Sequence, residues 1–242
     1  MTSHLTIERE PVRKKIFVFG ASGHARVVLD ILDQEGKYNV VGLLDDHKPV
    51  GGVFCGRTVV GSTVNLPQLT QEFAVSGVLV AVGDNWTRAR VVNDIRAQCA
   101  DIEFVNTIHP AAVISPVASV AQGVVIMAGA LVGPGSSIGE FCILNTRASL
   151  DHDCIMDEFS SMGPTATTGG GVHIGAFSNI GIGATVLQEI SIGKHTVIGA
   201  GAVVFKKVPD QVVAYGTPAR VVRSRQAGDR YLTSNCASGG NC

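Results

Sequence analysis

A histidine between two aspartates, in the stretch Asp151-His152-Asp153, is the strongest candidate for chemistry in the sequence. Imidazole has an unperturbed pKa of about 6.5, so it can accept and return a proton near neutral pH. A neighbouring carboxylate, from Asp153 or from Asp151, can orient the ring and favour its protonated form. The pattern therefore predicts general acid–base chemistry at His152.

The element that must position this histidine has a hexad period. Fifteen of sixteen positions spaced by six hold a large aliphatic residue or Met, and Thr168 is the exception. The other fifteen are Ile114, Val120, Ile126, Val132, Ile138, Leu144, Leu150, Met156, Met162, Ile174, Ile180, Val186, Ile192, Ile198 and Val204. The residue four places after each position is small or valine, except Ile190. Such a period fits neither a helix nor a flat alternating sheet, and it predicts a coil of short strands and sharp corners.

Composition agrees with such a coil. The chain has 29 glycines and only 5% aromatic residues. Glycine suits repeated tight corners, and an aliphatic core without rings suits a narrow interior. The composition therefore favours a solenoid.

The register resembles the hexapeptide repeat of the left-handed parallel β-helix acyltransferases, in which three hexads form one triangular coil. The resemblance implies about five coils, from near Ile108 to near Lys207. One coil after His152 comes Gly170, flanked by two further glycines that leave open space and accessible amides above the imidazole. The break at Thr168 falls in the same place, and sequence rules often fail at functional sites. A passive spacer or assembly platform is the alternative interpretation of such a helix.

The remaining histidines and cysteines give weaker signals. His109, His173 and His195 occupy hexad offsets that differ from that of His152 and from one another, so none stacks over another along one corner. A three-histidine zinc site between adjacent chains is an alternative that these spacings do not support, and we expect no metal. Cys154 falls in the small inward column and is interpreted as core rather than as a nucleophile.

The first hundred residues have the pattern of a Rossmann-like domain. An aliphatic run at 15–20 ends in glycine and precedes a segment of helical periodicity, which is the opening of a βαβ unit. Further strands are predicted at 38–44, 78–82 and near 102–105, with a helix from about Trp86. The loop after the first strand places backbone amides at a helix N-terminus, where a diphosphate is favoured.

Two carboxylates at the end of the second predicted strand could accept hydrogen bonds from a ribose or a base edge. With the glycine loop they give the candidate substrate contacts Gly20, Ser22, Gly23, His24, Asp45 and Asp46. Mononucleotide binding is favoured over NAD binding, because the full G-x-G-x-x-G pattern is missing. The alternative is that the glycines only form the turn and the aspartates only cap a strand.

Charge and hydropathy exclude other classes of function. The formal net charge is -1, with 19 Lys and Arg against 20 Asp and Glu, which leaves no surplus of cations for a nucleic-acid backbone. No uncharged apolar stretch reaches the roughly 20 residues that span a bilayer, and the N-terminus is polar. We expect a cytoplasmic protein that binds neither nucleic acid nor membrane.

Four motifs together carry a more specific resemblance: FGASGHARVV, LLDD, NTRASLDHDC and YGTPARVV. The combination resembles the bacterial sugar O-acyltransferase family related to sialic-acid O-acetyltransferases. It is most similar to the nucleotide-sugar N-acetyltransferases that make UDP-diacetylbacillosamine or N-acetylperosamine. The resemblance covers about residues 14–224.

The resemblance assigns roles by position. It implies that His152 is the catalytic base, that Asp153 supports it, that Asn145 helps to hold the acceptor and that the Gly170 amide stabilises the oxyanion. Coenzyme A is expected near Gly170, Gly181, Lys206, Pro218 and Arg220. The chain departs from the related bacillosamine enzymes at Ser161, where they carry a second histidine.

The resulting expectation is a Rossmann-like α/β domain at 14–107 and an all-β left-handed parallel β-helix at 108–224, between a flexible N-terminus at 1–13 and a disordered tail at 225–242. The resemblance implies a homotrimer that transfers acetyl from acetyl-CoA to the amine of a nucleotide-linked amino-deoxy sugar in surface polysaccharide or glycan biosynthesis. A sugar O-acetyltransferase, a non-catalytic nucleotide-sugar-binding scaffold and an NAD-linked first domain are the alternatives.

Overall fold

The computed structural model describes residues 13–232. The expected flexible N-terminus lies outside these residues except for Arg13, and so does the expected tail from residue 233 onward.

The N-terminal domain is a mainly parallel sheet with helices on both sides. Its elements, numbered in chain order, are β1 (Lys14–Phe19), α1 (Gly23–Glu35), β2 (Tyr38–Leu44), β3 (Val53–Phe54), β4 (Arg57–Gly61), α2 (Leu66–Phe73), β5 (Gly77–Val80), α3 (Asn85–Gln98) and β6 (Glu103–Phe104). The strand order is β3-β4-β2-β1-β5-β6, and β1 pairs in parallel with both β2 and β5. The order reverses between β1 and β5, which is where doubly wound sheets bind ligands. The Rossmann-like prediction is confirmed.

In the N-terminal domain, the helices and strands with long apolar patterns were predicted from the sequence, whereas the short elements were not. The helical spacing in α1 was read from Val27, Val28, Ile31 and Leu32, of which the last three are buried and Val27 is exposed. The helix ends at Gly36, whose φ of 64° is left-handed. The hairpin of β3 and β4 and the short helix α2 were not predicted. Val53 is largely exposed, so β3 carries no buried alternation for a pattern search to find.

The C-terminal domain is a β-helix with three parallel faces. The first face contains β7 (Thr107–Ile108), β10 (Val125–Ile126), β13 (Ile143–Leu144), β16 (Ser161–Met162), β19 (Asn179–Ile180), β22 (Val197–Ile198), β24 (Val212–Gly216) and β25 (Ala219–Ser224). The second face contains β8 (Val113–Ile114), β11 (Leu131–Val132), β14 (Ser149–Leu150), β17 (Thr167–Thr168), β20 (Thr185–Val186) and β23 (Val203–Val204). The third face contains β9 (Ser119–Val120), β12 (Ser137–Ile138), β15 (Ile155–Met156), β18 (His173–Ile174) and β21 (Ser191–Ile192).

The register of the strands confirms the hexapeptide β-helix. Val125 pairs with Ile143 and Leu131 pairs with Ser149, so each position of one coil lies against the position three hexads later in the chain. The aliphatic column and the small column both point inward and form one buried cluster. Narrow coils of this kind have no room for rings, as the composition predicted.

Three phenylalanines of the β-helix lie outside its core, at the corner between the third and first faces. Phe141, Phe159, Phe177 and His195 follow one another at steps of one coil, with ring centroids 5.0, 5.2 and 4.7 Å apart and nearly parallel planes. Phe141 and Phe159 share a buried cluster with the N-terminal domain. This aromatic ladder therefore joins the two domains, and aromatic pairs of this kind add about 0.5–1.5 kcal/mol each beyond their buried area.

A buried cation, Arg88 of α3, holds the same junction by hydrogen bonds. Its guanidinium donates to the carbonyls of Val82 and Gly83 in its own domain, and to those of Phe141 and Phe159 in two successive coils. Burial lowers the pKa of Arg88. The planar fork of five donors fits this set of diverging carbonyls, which a single ammonium cannot reproduce.

Replacing Arg88 by Lys is expected to destabilise the protein by about 2 kcal/mol, because at least two buried carbonyls lose their donor. Urea unfolding followed by circular dichroism measures the change. Arg96→Lys is the matched control on the same helix, since Arg96 forms a half-exposed ion pair with Glu140 at 2.8 Å. Exposed pairs contribute less than about 1 kcal/mol. Equal losses in the two variants would contradict the role of Arg88.

The structure differs from the expected disorder at residues 225–232. Arg225 is buried and donates to the carbonyl of His195, while the Tyr231 hydroxyl accepts from the Asn85 N–H. The tail was predicted to be disordered because it is rich in Gly, Ser and Asn, but it also contains Arg225 and Tyr231, whose side chains pack against the two domains. Among residues 13–232, no helix is long and apolar enough to cross a membrane.

Candidate active site

His152 lies at the corner between the second and third faces. We call the residues 151–154, 169–172, 187–190 and 205–208 the His152 corner, because they occupy equivalent positions in successive coils. The coils are tied together there by backbone hydrogen bonds, from Gly171 N–H to the His152 carbonyl at 2.9 Å and from Glu189 N–H to the Gly170 carbonyl at 2.8 Å.

The His152 ring is exposed and oriented by a carboxylate. Its Nδ1 lies 2.8 Å from Oδ2 of Asp153, while Asp151 Oδ1 accepts from the His152 N–H at 2.8 Å. The hydrogen bond to Asp153, aided by the charges of Asp151 and Asp153, raises the pKa of His152. A carboxylate at Nδ1 favours a proton on that nitrogen, which leaves Nε2 free to accept one.

Gly170 is the residue against which the ring lies. A Cβ atom added to Gly170 would lie 2.4 Å from both Cε1 and Nε2 of His152, so no other residue fits without moving the imidazole. Within the described chain the Gly170 N–H has no backbone acceptor. The structure places the His152 ring against Gly170 of the next coil, while the use of the Gly170 amide as an oxyanion donor stays a prediction.

Thr168 explains the break in the aliphatic column. Its buried hydroxyl accepts from the Asp151 N–H at 3.1 Å, and β14 and β17 pair only at Ser149 and Thr167. The Thr168 hydroxyl thus satisfies the N–H of Asp151, the residue that begins the turn containing His152. Cys154 is fully buried beside Thr168, so its thiol cannot meet a substrate.

The predicted coenzyme residues divide into two groups. Gly170 and Lys206 share the His152 corner two coils apart, or roughly 10 Å at the usual strand spacing. Lys206 lines a cavity of about 490 Å³ together with Pro218 and Arg220. Gly181 lies elsewhere, at the corner between the first and second faces. A Cβ there would meet the backbone of the next coil at 2.6 Å, which is a sufficient structural reason for glycine.

The glycine loop and the two aspartates come together at the carboxyl ends of β1 and β2. Gly20 has a left-handed φ of 114°, and its Cβ would approach the Ala81 carbonyl to 2.8 Å. Ser22 and Gly23 are exposed at the start of α1. The loop thus keeps open amides at the switch point of the sheet.

Both aspartates have structural partners. Asp45 accepts from the backbone N–H groups of Ala21, His47 and Lys48, and Asp46 accepts from the N–H and hydroxyl of Thr63. These bonds hold the loop and the following turn in place. The structural alternative for Asp45 and Asp46 therefore has direct support, while their contact with a nucleotide stays a prediction.

His24 and Asn145 line one cavity of about 370 Å³. We call it the crevice cavity; Gly83, Ser161 and Asn179 also line it, so it lies between the Rossmann switch point and the first face of the β-helix. Burial, with a smaller effect from Arg88, lowers the pKa of His24 to about 4, so its ring is neutral at pH 7. His24 Nε2 is buried and has no partner within residues 13–232.

The crevice cavity and His152 lie at opposite sides of the triangular coil. The first face forms one wall of the cavity, whereas His152 occupies the corner that the first face does not touch. A single chain therefore brings together His152, Asp153 and Gly170, and separately His24 and Asn145, but does not join the two sets.

The other histidines within residues 13–232 form no metal centre. His173 Nε2 lies 2.9 Å from Asp157 Oδ2, His195 stacks on Phe177, and His109 Nδ1 accepts from the Ala111 N–H. Over the described residues 13–232, no group of three or more His, Cys, Asp or Glu side chains could hold a metal ion.

Comparisons with known proteins match both halves of this arrangement. The PglD N-terminal domain profile matches residues 15–95. The chain is similar to PerB from Caulobacter crescentus, whose crystal structure was solved in complex with CoA and GDP-perosamine. The two sequences are 36% identical, and the structural alignment covers 86% of this chain and 97% of PerB with a TM-score of 0.81. The chain belongs to the nucleotide-sugar N-acetyltransferase family. The prediction from the sequence is confirmed at this level, and the family is one of acetyl-CoA-dependent acyltransferases.

Two further relatives agree. The acetyltransferase domain of PglB from Neisseria gonorrhoeae FA1090 in complex with acetyl coenzyme A is 36% identical, covering 87% of this chain and all of that domain with a TM-score of 0.79. The UDP-N-acetylbacillosamine N-acetyltransferase of Bacillus subtilis (strain 168) is 31% identical over 117 residues, which span 48% of this chain and 52% of that relative. The curated relative is thus matched over about half its length.

Some residues that line the crevice cavity were not predicted from the sequence. Tyr231 and Leu232 line the cavity beside His24, and Asn179 supplies a further amide. Asn179 sits one coil after Ser161, with which it pairs, so the repeat could have identified it. Tyr231 had no such signal, because it follows the last coil.

The raised pKa of His152 gives a pH prediction. Only the neutral ring can accept a proton, so kcat/KM is expected to rise with pH through the pKa of His152 and to be lost as the pH falls below it. Asp153→Asn removes the charge that raises this pKa, so the acidic limb should move to lower pH while the plateau falls. If the acidic limb of the kcat/KM profile lies at the same pH in Asp153→Asn as in the parent, the group that ionises there is not His152.

Proposed function

We propose that this protein transfers an acetyl group from acetyl-CoA to the amine of a nucleotide-linked amino-deoxy sugar, with His152 as the general base. One observation carries the proposal most strongly: the imidazole lies directly against Gly170, whose N–H has no backbone acceptor within residues 13–232, at a corner that leads to the cavity at Lys206. The titrating group and the N–H donor that acyl transfer requires are therefore adjacent.

The proton movements follow from this geometry. The sugar amine attacks the thioester carbonyl carbon, and its proton passes to His152 Nε2, which the bond between Nδ1 and Asp153 leaves free. The Gly170 N–H donates to the oxygen that becomes negative in the tetrahedral intermediate. The carbon–sulfur bond then breaks, and the imidazolium returns the proton to the leaving thiolate. No covalent enzyme intermediate is needed.

The coenzyme would extend along the His152 corner. Its thioester lies at Gly170, and its other end lies about two coils away, where Lys206 and Arg220 supply positive charge for phosphates. Arg225 is not available for this, because it is buried against the carbonyl of His195. Gly181 is assigned a packing role instead.

The acceptor would occupy the crevice of the Rossmann domain. The amides of the loop at Ser22 and Gly23 suit a diphosphate, and Asn145 and His24 face the cavity where the sugar would lie. Because His152 of the same chain lies at the opposite corner, the crevice must meet His152 of another copy. This is consistent with a homotrimer in which each site lies between two chains.

A turnover screen tests the assignment. UDP-, GDP- and dTDP-linked amino sugars are each incubated with acetyl-CoA, and the products are measured by mass. We expect one acetylated product that survives hydroxylamine, as an amide does. A hydroxylamine-sensitive product would indicate O-acetylation, and no product from any donor–acceptor pair would favour a non-catalytic scaffold.

A further inference from the structure

The crevice cavity has a wall that belongs to neither domain. Residues 225–232, which we call the C-terminal strap, leave the last strand and return across the junction of the two domains. Arg225 donates to the carbonyls of His195 and Asp229, and its guanidinium lies over the Tyr231 ring. Gly228 lies against the indole of Trp86, where an added Cβ would be 3.2 Å from Nε1. The strap is therefore packed at several points along its length.

The tyrosine of the strap connects it to α3 and lies across the crevice cavity from the β-helix. Its hydroxyl accepts from the Asn85 N–H at 3.2 Å, at the N-terminus of α3, and Tyr231 lines the cavity together with Ser161 of the first face. Ser161 Oγ donates to Asn179 Oδ1 at 2.9 Å. The strap therefore places a tyrosine beside the polar side chains of the β-helix that face the cavity.

The adjacent Leu232 lies beside the unpartnered His24 and is 60% exposed. Leu232 and His24 both lie within 3.7 Å of the position that a Cβ on Gly83 would take. Within residues 13–232, His24 Nε2 is buried there without a hydrogen-bond partner, which is unfavourable for a polar atom. About 370 Å³ remains open beside it even with Tyr231 and Leu232 in place. The strap narrows the cavity without filling it, and it leaves a buried polar atom for a ligand to satisfy.

We propose that the C-terminal strap is the third wall of the acceptor site and that Tyr231 positions the nucleotide-linked sugar there, beside Ser161 and Asn179. This rests on the proposed function, because it names a part of the same site. A polar group of the sugar supplies the partner that His24 Nε2 lacks, and Leu232 excludes water from that contact. The strap does not line the cavity at Lys206, which is expected to hold the phosphates of the coenzyme.

Two truncated chains provide a matched test. One ends at Asp229 and the other at Leu232, so they differ only by Arg230, Tyr231 and Leu232, and both keep the contact of Asp229 with Arg225. The chain ending at Leu232 is expected to behave like the full chain. The chain ending at Asp229 is expected to show a KM for the acceptor sugar raised about tenfold or more, with the KM for acetyl-CoA unchanged. Tyr231→Phe is expected to give a smaller rise of about threefold.

The fold of the shortened chain is checked by the fluorescence of Trp86, the single tryptophan of the chain. Because Gly228 is retained against the indole, its emission should not change. If the chain ending at Asp229 has an unchanged acceptor KM, the strap is not a wall of the site. If its kcat/KM rises, the strap is instead an inhibitory plug. Absence of turnover in the full chain would contradict the acetyltransferase assignment itself, and with it the acceptor wall.

Discussion

Replacing His152 by alanine is expected to lower kcat about 10³-fold, with little change in the KM of either substrate. General acid–base groups contribute roughly 10²–10⁴-fold, and His152 is assigned both the removal of the amine proton and its return to the leaving thiolate. Steady-state rates with acetyl-CoA and the acceptor found in the screen measure the loss. The ring is exposed and forms no core contact, so the melting temperature should stay within a few degrees of the parent.

His173→Ala is the matched control for this variant. His173 is also a half-exposed histidine paired with an aspartate, at 2.9 Å from Asp157, but it lies on the third face away from Gly170. Its replacement should leave kcat within about twofold. Full activity in His152→Ala, or an equal loss in both variants, would remove His152 from the mechanism.

Replacing Gly170 by alanine is the second substitution with a large expected effect. The new methyl group would lie 2.4 Å from Cε1 and Nε2 of His152, so the ring must swing away from its place beside the amide. A displacement of about 1 Å at a reacting group can cost 10²-fold, and loss of an oxyanion donor costs about 10²–10³-fold. We expect kcat to fall at least 10²-fold while the protein remains folded, because the imidazole can turn into solvent.

A double variant separates the two contributions. In the His152→Ala background there is no ring for the new methyl group to displace, so adding Gly170→Ala should cost much less than it does alone. The fall in kcat that Gly170→Ala still causes in this background measures how far the new methyl group hinders the Gly170 N–H itself. Strictly additive losses would show that the ring and Gly170 act independently, against the stacked arrangement.

The sequence predicted the parts of the site that the repeat controls. The three-hexad coil placed Gly170 against His152, because each coil repeats the backbone path of the last. Gly181 shows the limit of this reasoning. Its glycine is required by the close approach of the next coil, and nothing in the sequence distinguishes that cause from a ligand contact.

Contacts between distant segments could not be predicted in the same way. Two of the carbonyls that Arg88 bonds belong to residues 53 and 71 positions away, and Tyr231 lies 146 residues from Asn85. No local pattern encodes such distances. The phenylalanines at 141, 159 and 177 do share the step of one coil, so that ladder could have been found, but its partner domain could not.

The stacking of equivalent corners restricts how the length of this chain can vary. An insertion of one or two residues between His152 and Gly170 would move every later side chain to a different corner and separate the base from its amide. Only the gain or loss of an entire turn, three hexads at once, keeps the remaining columns aligned. The distance from the imidazole of His152 to the cavity at Lys206 can therefore change only in steps of about 4.8 Å, which is the spacing of one coil.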